Sequence, residues 1–147
     1  MAATPPVFLH YHMISYRVTD SSNVKLLLWK LFKSEAKTLS RIDIILSSDD
    51  YLLELNQAYL QHDYYTDVIT FDYSDQEQPA ETRPLTGEVY ISIDRIKENA
   101  AQFKVPVAGE LLRVMIHGSL HLCGYNDSTE AEKAEMTAKE DYYLSLL

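Results

Sequence analysis

Residues 106–124 constrain the fold most, because their pattern predicts a helix that is apolar on most of its sides. Pro106 fits the first turn of this helix, and Gly124 is a natural C-terminal stop. A helix that is apolar nearly all round is normally buried by the rest of its protein. We therefore predict a buried helix whose apolar residues include Leu111, Leu112, Val114, Met115, Ile116, Leu120 and Leu122.

The other segments alternate between strand and helix patterns. Apolar alternation and β-branched runs predict strands at 7–17, 41–46, 68–73 and 88–93. Helical spacing predicts helices over 24–39, from a cap at 48–50 to 59, from a cap at 92 or 94 to 103, and from a capping box at 129–132 to the C-terminus. The polar segment 74–85 contains two prolines and is expected to be a mobile loop. This order predicts an α+β domain, with a mixed, roughly four-stranded sheet packed by about five helices.

Length and composition limit the cellular setting. The chain has 147 residues, which fits one domain over residues 1–147. Its single cysteine, Cys123, excludes an intrachain disulfide and favours a reducing compartment. No apolar run reaches the roughly eighteen residues of a membrane span, and no basic segment precedes an apolar run at the N-terminus. We expect a cytoplasmic protein without a membrane partner.

The net charge of −9 has the wrong sign for a protein that binds nucleic acid mainly through phosphate contacts. The charge is uneven, because residues 1–41 carry six basic and two acidic residues, a local +4. Lys30, Lys33, Lys37 and Arg41 are spaced by three or four, so they can share one helix face. That face is interpreted either as an ordinary solvated surface or as a basic stripe facing RNA or a ribosomal surface.

The segment with the clearest chemistry contains His117 and His121. Four residues apart on a helix, their imidazoles point the same way and can bind one metal ion. Gly124 lets the chain turn back, and Asp127 can bring an oxygen to the same ion. Two histidines, one carboxylate and an open position are typical of catalytic zinc. The alternative is a pair of hydrogen-bonded core histidines, although two unpaired imidazoles on an apolar helix would be costly.

The same segment resembles a known family. Residues 117–125, HGSLHLCGY, resemble the signature of the YbeY family of metal-dependent endoribonucleases, which act in rRNA maturation. Residues 55–71 resemble that family's LNxxYR…D…TDVLSF block, and residues 85–89 resemble its LGDI strand. Glu110 and Leu111, ahead of the histidines, also fit. The resemblance covers about residues 50–130, whereas the N-terminal strand and helix match the family's layout without a motif.

The resemblance implies a small mixed sheet packed by helices and a single divalent ion, which we expect to be Zn²⁺. It also implies cleavage of single-stranded RNA, maturation of the 16S rRNA 3′ end and ribosome quality control. The expected partners are single-stranded rRNA and the small ribosomal subunit, with no DNA.

The chain departs from the family pattern at two positions. Asp127 stands where the family commonly has a third histidine, and Leu60 stands where it commonly has an arginine after Tyr59. A carboxylate can ligate zinc, but its charge should make bound water less acidic and favour harder metals. Without that arginine, any phosphate contact must come from another cation.

We expect the ion to activate water for attack on phosphorus, with attack by the ribose 2′-OH equally open. No general base is identified, although polar groups near the matching blocks are His62, Asp63, Asp67 and Glu88. Each of these groups also fits an ordinary turn, cap or strand-surface role.

Several aromatic residues can be read in two ways. They can stack bases in a single-strand groove, or they can pack in the core or at its rim, and they are Tyr59, Tyr64, Tyr65, Tyr73, Tyr90 and Tyr125. Cys123 is interpreted as a buried thiol that points away from the histidines.

Two other functions remain open. One is a non-catalytic ribosome-assembly factor with a structural ion, which the acidic charge and Leu60 favour. The other is an atypical zinc metallopeptidase. In HExxH peptidases the residue after the first histidine is the glutamate base, and here that residue is Gly118.

Overall fold

The computed structural model describes residues 3–61 and 65–147. Its strands are β1 (Val7–Tyr11), β2 (Leu39–Ser47), β3 (Val68–Asp72) and β4 (Leu85–Ser92). Its helices are α1 (Ser21–Ser34), α2 (Asp49–Leu55), α3 (Ile93–Phe103), α4 (Val107–Leu122) and α5 (Glu130–Leu144), and a π-helical turn, Asn56–Leu60, extends α2. The predicted element order and the α+β architecture of a four-stranded sheet with five helices are confirmed.

The sheet is mixed, in the order β1-β2-β4-β3. β1, β2 and β4 run parallel, and β3 pairs antiparallel with β4 at one edge. The parallel neighbours β1 and β2 are joined through α1, and the parallel neighbours β2 and β4 are joined through α2 and β3. A long loop over residues 73–84 connects β3 to β4, and it differs by one residue at each end from the loop predicted over 74–85.

Helix α4 lies at the centre of the packing, as its apolar pattern predicts. It contacts the sheet through β3 and β4, and it also contacts α1, α3 and α5. Gly118 permits the close approach to the sheet, since a Cβ atom there would lie 2.8 Å from Val89 Cγ1. The seven apolar residues named for this helix are all buried. The helix that carries the two histidines is therefore fixed on several sides.

The first strand and the first helix end earlier than predicted. The strand predicted over 7–17 stops at Tyr11, which pairs with Leu46 one residue before β2 ends. The chain turns at Met13, where φ is 55°. The helix predicted over 24–39 stops at Ser34, because Ala36 takes a left-handed backbone with φ 61° and the chain then enters β2.

The early end of α1 divides the basic stripe. Lys30 and Lys33 lie on α1, whereas Lys37 precedes β2 and Arg41 lies within it. The Lys33 ammonium lies over the Trp29 ring, 3.7 Å from its centroid, and Arg41 forms an ion pair with an aspartate of β2. A single helical face of four cations was therefore a wrong prediction.

Three smaller boundaries also differ. The helix predicted to continue through Tyr59 changes to π geometry after Leu55. Ile93 begins α3 instead of ending β4, because Ser92 accepts the capping hydrogen bond from Arg95. Pro106 is the N-cap of α4, one residue before its first turn. In the described part of the chain no helix is long and apolar enough to cross a membrane.

Candidate metal centre

His117, His121 and Asp127 converge at the C-terminal end of α4. The two Nε2 atoms lie 3.0 Å apart, and Asp127 Oδ2 lies 3.3 Å from His117 Nε2 and 3.4 Å from His121 Nε2. Each side chain is partly exposed, with 22%, 26% and 42% of its surface accessible, respectively. The structure therefore brings together the three residues that the sequence indicated, at an open cleft.

The end of α4 places Asp127. Gly124 adopts φ 108°, which a glycine takes without strain. Its N–H donates to the His121 carbonyl, and the next N–H, of Tyr125, donates to the Leu120 carbonyl. This pair of bonds is the Schellman motif, which closes a helix and reverses the chain. The reversal returns Asp127 to the histidines, as predicted from Gly124.

Each histidine has its second ring nitrogen fixed. His121 Nδ1 lies 2.9 Å from the Tyr125 carbonyl, and His117 Nδ1 lies 2.7 Å from Glu140 Oε2 on α5. A carbonyl and a carboxylate only accept hydrogen bonds, so both Nδ1 atoms carry the proton. In the neutral rings, both Nε2 lone pairs then point toward Asp127.

When both rings are neutral, three acceptor atoms therefore face one another. Burial disfavours the charged His117 ring, but the hydrogen bond and charge of Glu140, together with Asp127 and Asp67, raise its pKa. A proton can thus satisfy this cluster, and so can a metal ion that replaces the proton. Two imidazole nitrogens and a carboxylate oxygen are a zinc-type donor set, so the residues fit a divalent ion.

A second layer holds Glu140 in place. Its Oε1 accepts from Arg113, and Arg113 also donates to Asp141, at 2.9 and 2.7 Å. Glu140 is only 7% exposed. The capping box formed by Thr129 and Glu132 starts α5 just after Asp127. It thereby fixes the first residue of the helix that carries Glu140.

Tyr125 is anchored from another direction. Its hydroxyl donates to Glu35 after α1, at 2.6 Å, and Glu35 also accepts from Tyr143 and Lys139. Burial raises the pKa of Glu35, but these hydrogen bonds outweigh it and leave the pKa lowered. A charged Glu35 therefore fixes the segment whose carbonyl orients His121.

The metal centre opens into a cleft of about 490 Å³. The cleft lies between the π-helical turn, the start of β3 and the end of α4, and Leu60 and Asp67 are among its walls. Its described lining residues include no lysine or arginine. Leu60 thus lies in the wall of the cleft, at a position where the family pattern commonly has a cation.

The other polar candidates are dispersed. Glu88 lies on β4 and accepts hydrogen bonds from the hydroxyls of Tyr73 and Tyr90, at 2.8 and 3.2 Å. Burial and Glu88 raise the pKa of Tyr73 to about 12. His62, Asp63 and Tyr64 lie outside the described residues. Asp67 is therefore the only one of the four polar candidates that is seen to line the cleft.

The remaining candidates divide by exposure. Tyr59, Tyr65 and Tyr73 are exposed, whereas Tyr90 is half-buried against Phe71. Cys123 is also half-buried, and burial raises the pKa of its thiol to about 12. A protonated thiol is a poor metal ligand, which agrees with a spectator role.

Sequence reasoning missed Glu140, Arg113 and Glu35. A signal for Glu140 was present, because it lies in line with Met136 and Tyr143 on the buried face of α5. A carboxylate on such a face needs a partner. Arg113 lies one turn before His117 on α4, and side chains at this spacing can contact the same residue.

Comparison with known proteins gives consistent matches. The profile of the family described as Endoribonuclease YbeY matches residues 14–147. "Endoribonuclease YbeY" of Flavobacterium psychrophilum is 51% identical over 77% of this chain and 76% of its own length. The protein of the same name from Cytophaga hutchinsonii is 41% identical over 95% of this chain and 94% of its own. A solution structure from Thermotoga maritima superimposes with TM-score 0.62 at 30% identity, covering 95% of this chain and 87% of that one.

Proposed function

The chain belongs to the YbeY family of endoribonucleases, and from that premise we propose that it cleaves single-stranded rRNA with one divalent metal ion held by His117, His121 and Asp127. The proposed ion is Zn²⁺. The proposed substrate is the 3′ end of 16S rRNA on the small ribosomal subunit, in maturation and quality control. Because the proposed substrate is ribosomal RNA, we place the reaction in the cytoplasm. We further propose that residues 1–147 belong to one metal-dependent hydrolase domain.

The convergence of two imidazole nitrogens and one carboxylate oxygen carries this proposal. His117 Nε2, His121 Nε2 and Asp127 Oδ2 lie 3.0 to 3.4 Å apart and are aimed by separate contacts behind each ring. Such a cluster is costly unless a proton or a metal ion occupies it, because the facing lone pairs repel at this distance. A bound ion would supply a Lewis acid for the phosphoryl oxygen and lower the pKa of water.

The protein's own groups have separate tasks. Glu140 and the Tyr125 carbonyl keep both histidines in the tautomer that presents Nε2. Asp127 adds a negative charge that a third histidine would not, which favours a harder ion. Among the described residues that line the cleft, Asp67 is the remaining carboxylate, and we assign it the acceptance of a proton from the attacking oxygen.

Exposed aromatic rings support a preference for single strands. Tyr59 is 69% exposed next to Leu60 of the cleft, and Tyr73 is 58% exposed. Between them lies Phe71, whose ring is 6.0 Å from that of Tyr59 and 6.2 Å from that of Tyr73. Unpaired bases stack on such rings, whereas bases within a duplex are already stacked.

The proposal is tested by cleavage of a single-stranded RNA that matches the small-subunit 3′ end. Zinc-loaded wild type is compared with His121→Ala and with His10→Ala, a control histidine on β1 that is about half exposed. Wild type and the control should cut, and His121→Ala should not. Equal cutting by all three proteins would place the chemistry elsewhere.

A non-catalytic assembly factor with a structural ion is the second candidate. The described residues that line the cleft include no lysine or arginine, and phosphate contacts usually need one of these side chains. This observation favours the assembly factor. Its signature is co-sedimentation with small subunits without RNA cleavage under any metal. The peptidase alternative is disfavoured, because residue 118 is a glycine and supplies no carboxylate base after the first histidine. Casein digestion in zinc tests that alternative.

A further inference from the structure

A groove continues the metal cleft along the edge strand. The cleft is lined by residues 66–70, and the groove, of about 220 Å³, is lined by Asp72 and Ser74 at the end of the same strand. His121 lines both. A strand advances about 3.4 Å per residue, so Thr70 in the cleft and Asp72 in the groove lie only about 7 Å apart along β3. The cleft and the groove therefore form one path past His121.

Two cationic side chains, those of Lys37 and Arg83, line this groove. Leu39 of β2 is in register with Leu85 of β4, and the strands are parallel. Lys37 and Arg83 each lie two residues before these partners, and the Leu85 N–H donates to the Thr38 carbonyl at 2.8 Å. The sheet register therefore brings together two residues that are 46 positions apart in the sequence.

Neither cation forms a direct ion pair with a carboxylate of the described residues, although the charge of Arg83 helps to lower the pKa of Asp75. Both side chains are half-buried. Arg83 donates to Gln76 Oε1 at 2.9 Å and to the Asp75 carbonyl at 3.4 Å, and these neutral acceptors orient it. Arg113 behind the metal site, in contrast, is neutralised by two carboxylates. Without a direct carboxylate partner, the two cations leave positive charge on the wall of the groove, which suits an anionic ligand.

We propose that Lys37 and Arg83 bind backbone phosphates of the single-stranded RNA that passes His121, and so supply the positive charge that Leu60 does not. This inference rests on the proposed ribonuclease function and names a subsite for its substrate. Phosphates are the ligand class, because the contacts are cationic. Asp72 on the same wall opposes them and sets a limit on affinity.

The test is the salt dependence of RNA binding. Metal-loaded, full-length protein is titrated into a fluorescein-labelled, single-stranded 2′-O-methyl oligoribonucleotide, whose blocked 2′ oxygen limits cleavage, and anisotropy gives Kd. Lys37→Gln and Arg83→Gln should each lower the slope of log affinity against log salt by about 0.7, the single-strand value for one phosphate contact. Asp72→Asn should tighten binding, since it removes the opposing charge.

Lys104→Gln is the matched control, because it makes the same change in net charge. Lys104 is exposed just before α4, whereas His121 lies at the other end of that helix, roughly 22 Å away by helical rise. The slope of log affinity against log salt should be the same for Lys104→Gln as for wild type.

Equal slopes for Lys37→Gln, Arg83→Gln and wild type would overturn the inference, as would a wild type that binds no RNA. If the protein binds the blocked oligonucleotide but does not cut the unmodified RNA of the same sequence, the proposed ribonuclease function is refuted and the phosphate contacts remain measurable. Cleavage of the unmodified RNA together with unchanged slopes would refute only the subsite.

Discussion

Replacing Glu140 should weaken metal binding without unfolding the protein. Glu140 Oε2 accepts from His117 Nδ1 at 2.7 Å, and 9% of its side chain is exposed. Without this acceptor the ring proton can move to Nε2, the atom that would bind the ion. Loss of such an outer contact typically lowers metal affinity by about 10- to 100-fold, which is about 1.4–2.7 kcal/mol.

The short contact and the burial of Glu140 place Glu140→Ala near the upper end of that range. Glu140→Gln keeps an oxygen acceptor but loses the charge, so we expect it near the lower end. The fold should survive both changes, because Arg113 is one-third exposed and keeps Asp141 as its partner. Asp141→Asn is the control, since it leaves Glu140 on His117, and its zinc affinity should equal that of wild type.

Zinc affinity is measured by competition with a chromogenic chelator. A second measurement, the ¹⁵N chemical shifts of His117 in metal-free protein in mildly alkaline buffer, reports the tautomer. We expect the Nδ1–H form in wild type and Glu140→Gln, and a mixture in Glu140→Ala. Wild-type zinc affinity in Glu140→Ala would refute the reasoning, as would an equal loss in Asp141→Asn.

Three further predictions concern stability. Gly118→Ala should destabilise by about 1–3 kcal/mol in urea unfolding, because its Cβ would press on Val89, and an unchanged midpoint would contradict the close packing. Thr129→Ala should cost about 1 kcal/mol in the same assay through loss of the capping box of α5, and no loss would show the box to be dispensable. The folded-state pKa of Glu35 is lowered, so its charge contributes stability above the unfolded pKa that is lost as pH falls through the folded pKa. Glu35→Gln should flatten this acid decline in a series of urea unfolding curves, and an identical pH profile would contradict it.

The features that could be predicted from sequence are local. The period of apolar residues determined α4, and the spacing of His117 and His121 placed both rings on one side of it. Gly124 marked the turn that returns Asp127. Each depends on residues within about two helical turns, where the chain's geometry is nearly fixed.

The features that could not be predicted depend on distant partners. β1 ends close to the end of its partner β2, and α1 ends before a left-handed residue, Ala36, where no glycine marks the turn. Glu140 meets His117 across 23 positions, and Glu35 meets Tyr125 across 90. Such contacts follow from the packing of α5 and α1 around α4, which a single sequence does not specify.

The most direct test of the account is a zinc titration of metal-stripped protein, with cleavage of single-stranded rRNA followed at each addition. The account predicts no cleavage at the start, a rise to a plateau at one ion per chain, and no rise for Asp127→Ala or His117→Ala at the same zinc. Cleavage by the stripped protein, or an unchanged plateau in both variants, would contradict a metal centre formed by these residues.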